Sequence, residues 1–187
     1  DETTSTINML KDVVKHYIGK VDAIVIACFD DPGMYVFREI LDIPVLGIGE
    51  SSILLALTLG WKFSILVVSQ KAIPLMENMI YRYGLEKRLA SIESMKLSVP
   101  EVDKMAEQEV LKPLIDAGQR AKNHGAEVLI LGCAGLAGYD EKLSNILGMP
   151  VIDPVKAGVK MAETLVALKL KTSKVGLFKK LLHSHII

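Results

Sequence analysis

"IVIACFDDPG" runs from Ile24 to Gly33, and "LILGCAGLAG" runs from Leu129 to Gly138. Each is a short apolar run that ends in a cysteine and then turns through glycine, and together they hold the only 2 cysteines of the chain. Apolar runs of this length, bounded by turn residues, read as buried strands of a parallel sheet. Outward from each cysteine the same plan unfolds, as "DAIVIACFDDPGMYVFREILDIPVLGIGESSILLALTL" from Asp22 and "AEVLILGCAGLAGYDEKLSNILGMPVIDPVKAGVKMAETL" from Ala126. Each has a strand, a cysteine, a glycine turn, a helix ending Ile-Leu, an apolar residue before Pro-Val, another turn, and a helix ending Thr-Leu. The cysteines are offset by 133 − 28 = 105 residues and the Pro-Val pairs by 150 − 44 = 106. So constant an offset marks an internal repeat, hence a protein with pseudo-twofold symmetry.

The rest of the chain alternates β-branched runs with segments of helical period, which predicts an α/β fold with mostly parallel sheets. Strands are predicted at 22–28, 44–48, 62–68, 89–97, 127–132 and 150–152. Between them, segments 6–18, 33–41, 50–59, 72–84, 102–125, 138–147 and 154–168 place apolar residues three and four apart, as amphipathic helices do. The repeat predicts one lobe from 1–60 plus 154–187 and a second from 61–153, with an active site between them. The second half carries a strand and a long helix ahead of its cysteine strand, whereas the first half carries only the helix. Because the chain opens "DETTST" without Met, the expectation is that the matching first strand is missing and would supply further site residues.

With 187 residues, half of them hydrophobic, the chain can bury a sizeable core. Its 22 basic and 22 acidic residues cancel, leaving no field to attract nucleic acid or an anionic membrane, so a small-molecule substrate is expected. Apolar runs such as Ile53 to Leu59 fall short of the roughly 20 residues that span a bilayer, and no signal-peptide pattern opens the sequence. A cytoplasmic protein is expected. Two cysteines make no disulfide framework, and His16, His124, His183 and His185 lack ligand spacing, so no metal site is expected. If the cysteines matter, they matter as thiols.

A single cysteine ending a buried strand is ordinarily a small hydrophobe. Two at repeat-related places are another matter, because ligands of open α/β sheets bind outside the carboxyl ends of the strands, where both of these fall. The peptide N–H groups of the following turns can serve as donors to an anion. A helix N-terminus can also acidify a thiol, and a thiolate then opposes ionisation of its neighbour. One thiolate facing one thiol can remove a proton from one face of a carbon and return a proton to the other, with turn N–H groups stabilising the enolate between. No cofactor is needed for that chemistry.

Other residues carry competing readings. "GIGESS" at Gly47 puts Ser52 where a nucleotide loop needs its third glycine. A redox dithiol would be expected as C-x-x-C, not with the cysteines so far apart. Asp30 and Asp31, beside Pro32, suit a turn and an N-cap better than a metal. Glu50 is either a first-turn acid or a substrate contact. Ser69 is either a ligand donor or an N-cap. The segment "GLFKKLLHSHII" at the end of the chain reads as an amphipathic packing element.

The motifs "VIACFDDPG", "IPVLGIGES", "YGLEKRLASI", "LGCAGLAG", "MPVIDPVKAGVKMAE" and "LKTSKVG" resemble the Asp/Glu/hydantoin racemase superfamily, and within it the hydantoin and allantoin racemase branch, from Val21 to Gly176. The resemblance implies a two-lobed pseudosymmetric α/β fold and cofactor-independent epimerisation with Cys28 and Cys133 as acid/base residues. Glutamate and aspartate racemases tend to carry Asn-Thr after the first cysteine and Thr after the second, where this chain has Phe29-Asp30 and Ala134-Gly135. That difference suits an uncharged ring such as a 5-substituted hydantoin. Arylmalonate decarboxylases keep only one of the two cysteines and resemble the chain less. Val67-Val68 stands where relatives often have Thr-Thr, and no "NPN"-type loop precedes the first cysteine.

The expectation is thus a racemase acting beside a carbonyl, on a 5-monosubstituted hydantoin or allantoin, working without cofactor or metal and forming a homo-oligomer. Cys28 and Cys133 are the expected catalytic residues, with Phe29, Asp30, Gly49, Glu50, Ser69, Ala134 and Gly135 around the substrate. The alternatives are an aspartate/glutamate-type racemase, a maleate-type isomerase, and a non-catalytic binder of the same fold.

Overall fold

The computed structural model describes residues 12, 16, 17, 19–102 and 104–179. Two parallel sheets carry the fold. The first pairs β1 (Ile24–Ile26) with β2 (Val45–Gly47). The second has the order β4-β3-β5-β6, formed by β3 (Phe63–Val67), β4 (Leu89–Ser94), β5 (Val128–Leu131) and β6 (Val151–Ile152). All six predicted strands are present, trimmed to the residues that keep ladder partners.

The internal repeat extends to register. Ile24 pairs with Val45 and Val25 with Leu46, while Leu129 pairs with Val151 and Ile130 with Ile152. Each pair maps onto the other under the same offsets of 105 and 106. The bonds that open the ladders match as well, with Ile24 N–H donating to the Pro44 carbonyl and Leu129 N–H to the Pro150 carbonyl, both at 2.9 Å.

Seven α-helices connect these strands among the described residues: α1 (Met34–Ile40), α2 (Ile48–Leu59), α3 (Ile73–Arg82), α4 (Val99–Val102), α5 (Glu107–Asn123), α6 (Asp140–Leu147) and α7 (Pro154–Ala167). The predicted helix at 6–18 lies largely outside the described residues. The single helix predicted over 102–125 is instead interrupted, and α5 starts afresh at Glu107. The break is held by polar groups that a period count overlooks. The Glu109 carboxylate takes the Ala106 N–H at 2.8 Å, closing the first turn of α5, while Glu101 takes both the N–H and the hydroxyl of Ser98 at the start of α4.

Alternation along β5 sorts the core into two layers, since successive strand side chains point to opposite faces. Leu129 and Leu131 join Leu114 and Ala117 of α5 and Leu143 of α6. Val128 and Ile130 join Ile48, Ile53 and Ala56 of α2 and Met76, Met79 and Ile80 of α3. A smaller cluster of Ile26, Met34, Phe37, Leu41 and Val45 ties α1 to the first sheet. Helix α2 packs against α7 and against β5, and α7 returns from the second sheet to lie on β1 and β2. Gly158 of α7 makes the approach possible, because a Cβ there would stand 2.9 Å from Val25 Cγ1 and 3.0 Å from Ile48 Cγ2.

Candidate active site

Both cysteines lie just beyond the carboxyl ends of parallel strands, Cys28 after β1 and Cys133 after β5. Cys28 is exposed, Cys133 is half-buried, and both are free thiols. A negative charge on Cys133 works against ionisation of Cys28.

The loop after Cys28 is tightly wound. The Asp31 N–H donates to the Cys28 carbonyl at 3.0 Å, Asp31 adopts a left-handed φ of 51°, and Gly33 follows at φ 72° to cap α1. The Asp30 N–H points at the Cys28 sulfur, where it favours thiolate. Although the residue reaches solvent, the loop wound around its sulfur withdraws enough of it from water to outweigh that donor, and the nearby charges of Asp30, Cys133 and Asp31 add to the effect, so the Cys28 thiol is pushed up from its usual range. The acidification expected of one thiol at a helix N-terminus is therefore not found at Cys28. Helix α1 starts several residues beyond it, too far to act within its first turn.

Cys133 stands immediately before a 3-10 turn, Ala134–Leu136, and its carbonyl accepts the Leu136 N–H at 3.1 Å. Gly135 is exposed beside the sulfur, and a Cβ there would lie 3.7 Å from Sγ. Ala134 is half-buried against the α2–α3 core layer.

Phe29 is expected from the sequence to line the substrate, but its ring is buried among the α2 and α3 core residues. Its carbonyl presses on Gly49, where a Cβ would be only 2.1 Å away. Gly49 and Glu50 open α2, and their N–H groups donate to the Asp31 carboxylate at 2.9 and 2.7 Å. The Glu50 side chain is held elsewhere. The Arg38 guanidinium grips it through two nitrogens, while the Tyr83 hydroxyl donates to Oε1 at 3.2 Å. Burial and the Glu50 charge push the Tyr83 phenol up, which keeps it a donor. Ser69 takes its N-cap reading and accepts the Lys71 N–H at 3.2 Å. Val67 and Val68, at the departure from the Thr-Thr pattern, are core residues.

Reading residues by type missed the partner that Asp31 would find. Asp-Asp-Pro signalled a cap, but the helix Asp31 serves is α2 and not the α1 that follows it in sequence. Asp153 was not singled out either, although Asp before Pro at a helix start is a legible N-cap signal. It accepts the Val155 and Lys156 N–H groups at 2.8 and 3.0 Å. Its second oxygen takes the N–H of Gly138, at the far end of the Cys133 loop. Among the described residues no group of three or more His, Cys, Asp or Glu side chains could hold a metal ion. None of their helices is long and apolar enough to cross a membrane.

The Asp/Glu/hydantoin racemase family model matches residues 1–162. The chain belongs to that family. It is 40% identical over 180 residues to the hydantoin racemase of Pseudomonas sp. (strain NS671), covering 96% of this chain and 72% of that one. The hydantoin racemase of Rhizobium meliloti is 37% identical over 181 residues, covering 95% and 74%. In three dimensions the allantoin racemase from Klebsiella pneumoniae superposes with a TM-score of 0.89 at 32% identity, across 97% of this chain and 74% of that one. Family and fold thus agree with the resemblance carried by the two cysteine motifs.

Proposed function

We propose that the protein is a cofactor-independent racemase of 5-monosubstituted hydantoins or allantoin, using Cys28 and Cys133 as its acid/base pair. The observation that carries the reading is the placement of two free thiols just beyond repeat-related strand ends of a fold shared with racemases. Relatives at 37–40% identity named hydantoin racemases, and a close structural neighbour named allantoin racemase, support the substrate class.

In one direction a thiolate takes the proton from the stereogenic carbon and becomes a thiol. The electron pair moves into the adjacent carbonyl to give an enolate. The opposite thiol then donates its proton to the other face and is left as thiolate, so charge and protons balance. The enantiomer runs the same steps with the roles exchanged. Main-chain N–H groups of the two turns are the available enolate donors, a role commonly worth about 3 kcal/mol for a single donor.

Replacing either cysteine by Ala is expected to abolish two-way racemisation. Polarimetry on single enantiomers of 5-methylhydantoin and allantoin measures this, and racemisation surviving in either single variant at the parental rate would exclude the two-thiol mechanism.

A further inference from the structure

We infer that Asp31 and Asp153 are positioning residues for the two thiols, each tying one cysteine loop to the N-terminus of the helix that follows the neighbouring strand. This rests on Cys28 and Cys133 being the acid/base pair.

The two ties are equivalent in place but opposite in polarity. In the first half the carboxylate belongs to the cysteine loop: Asp31 binds the Cys28 carbonyl through its N–H and reaches the Gly49 and Glu50 N–H groups of α2. In the second half the carboxylate belongs to the helix: Asp153 caps α7 with Oδ1 and holds the Gly138 N–H of the cysteine loop with Oδ2 at 2.8 Å. The offset of 106 that aligns the Pro-Val pairs places Asp153 on Gly47. A Cβ on Gly47 would stand 2.0 Å from Asp31 Cγ. The first half therefore leaves its own cap position empty of side chain, and the Asp31 carboxylate fills that space from the other side. Both carboxylates are buried, at 7% and 4% exposure, and both bridge a thiol loop to a helix end.

Two routes to one bridge, in halves whose ladders share register, point to a geometric requirement at each thiol. Proton transfer supplies it, since a displacement of about 1 Å at a reacting group can cost roughly a hundredfold in rate.

The test uses D31N, which keeps the side-chain shape, and D153S, whose single oxygen can still cap α7 but cannot also hold Gly138. Melting curves confirm that both are folded. Substrates are the separate enantiomers of 5-methylhydantoin, with and without deuterium at C5. With an equilibrium constant of one, kcat/KM is equal in the two directions, so the asymmetry is read from isotope effects. Each variant is expected to lose about tenfold or more in kcat. D31N should raise the deuterium isotope effect for the enantiomer that Cys28 deprotonates, and D153S for the opposite one. Equal isotope effects for both enantiomers in both variants would overturn the inference.

A second readout needs no turnover: the pH profile of iodoacetamide alkylation at each cysteine, followed by mass spectrometry. D31N should move the Cys28 profile to lower pH, because the remaining charges facing that thiol are those of Asp30 and Cys133. D153S should change the alkylation rate of Cys133 and leave that of Cys28 unchanged. If the folded parent racemises none of the compounds, the proposed function fails, and the positioning role, which rests on it, fails with it. If the parent racemises and neither profiles nor isotope effects move, the positioning role fails by itself.

Discussion

At the scale of the residue, Asp31 is unusual in three respects: a left-handed backbone, a buried carboxylate, and an ionisation raised to about 6 from 3.8. Burial is the largest cause, and it outweighs the Glu50 and Gly49 N–H bonds that favour the charged form. The folded state therefore holds this proton more tightly than the unfolded chain does. Asp31 stabilises most below its unfolded value near 3.8, and that contribution is lost as pH rises to about 6. The difference amounts to about 3 kcal/mol. Urea unfolding of the parent and D31N should accordingly show the stability gap moving by about that amount in favour of Asn between pH 3 and pH 7. A gap independent of pH would mean that folding leaves the Asp31 ionisation where the unfolded chain has it. The chain thus retains a charge that costs stability at neutral pH, as residues serving a site often do.

Cys28 carries a related expectation. With burial and three neighbouring negative groups raising its thiol, its alkylation in the parent should be slower at pH 7 than that of a free thiol, and should keep rising beyond the pH at which a free thiol levels off. An early plateau would show the opposite balance. The sequence alone placed both thiols, but the direction of this shift was not legible in it. That direction is set first by how far the folded loop withdraws the sulfur from water, and then by the charges of Asp30, Cys133 and Asp31, none of which residue type reveals.

Among the elements, α1 shows how the site is braced. It starts at the end of the Cys28 loop, and its last carbonyls are gathered by Lys174, whose ammonium donates to Arg38, Glu39 and Leu41 at 2.5, 3.0 and 2.7 Å. Phe178 lies near Tyr35 and Arg38 in the same strap. K174M keeps most of the stem and removes the charge, so it should cost about 1 to 2 kcal/mol in urea unfolding. No loss would mean that water satisfies those carbonyls equally well.

The start of α2 is less forgiving. G47A drives a methyl into the Asp31 carboxylate and should destabilise by about 3 kcal/mol. Most of that loss should disappear in a D31G background, where the carboxylate is gone and glycine suits the φ of 51°. Additive losses in the double variant would separate Gly47 from Asp31. Strands and most helices were legible because their signals are local: period, capping residues and turn glycines. The division between α4 and α5, and the bond from Asp31 to α2 across 18 residues, were not. Both depend on which side chains the folded chain brings to an open N–H group.

For the whole molecule, the repeat is the organising fact. It was visible as two constant offsets between Cys28 and Cys133 and between Pro44 and Pro150, and it reappears as identical pairing of β1 with β2 and β5 with β6. Neither the fate of Phe29, whose ring is drawn into the core, nor the Arg38–Glu50–Tyr83 cluster could be read from it, because long-range packing decides where each side chain points. A pseudo-twofold arrangement is well suited to racemisation, whose two half-reactions differ only in the face of the carbon that is approached.

The most direct measurement is proton NMR in D2O on separate enantiomers of 5-methylhydantoin and allantoin, with the parent, C28A and C133A. The parent should replace the proton at the stereogenic carbon by deuterium while optical rotation decays, and both variants should fail to racemise either enantiomer. Decay of rotation at the parental rate in either variant, or no exchange by the folded parent on any of these compounds, would contradict a two-thiol racemase.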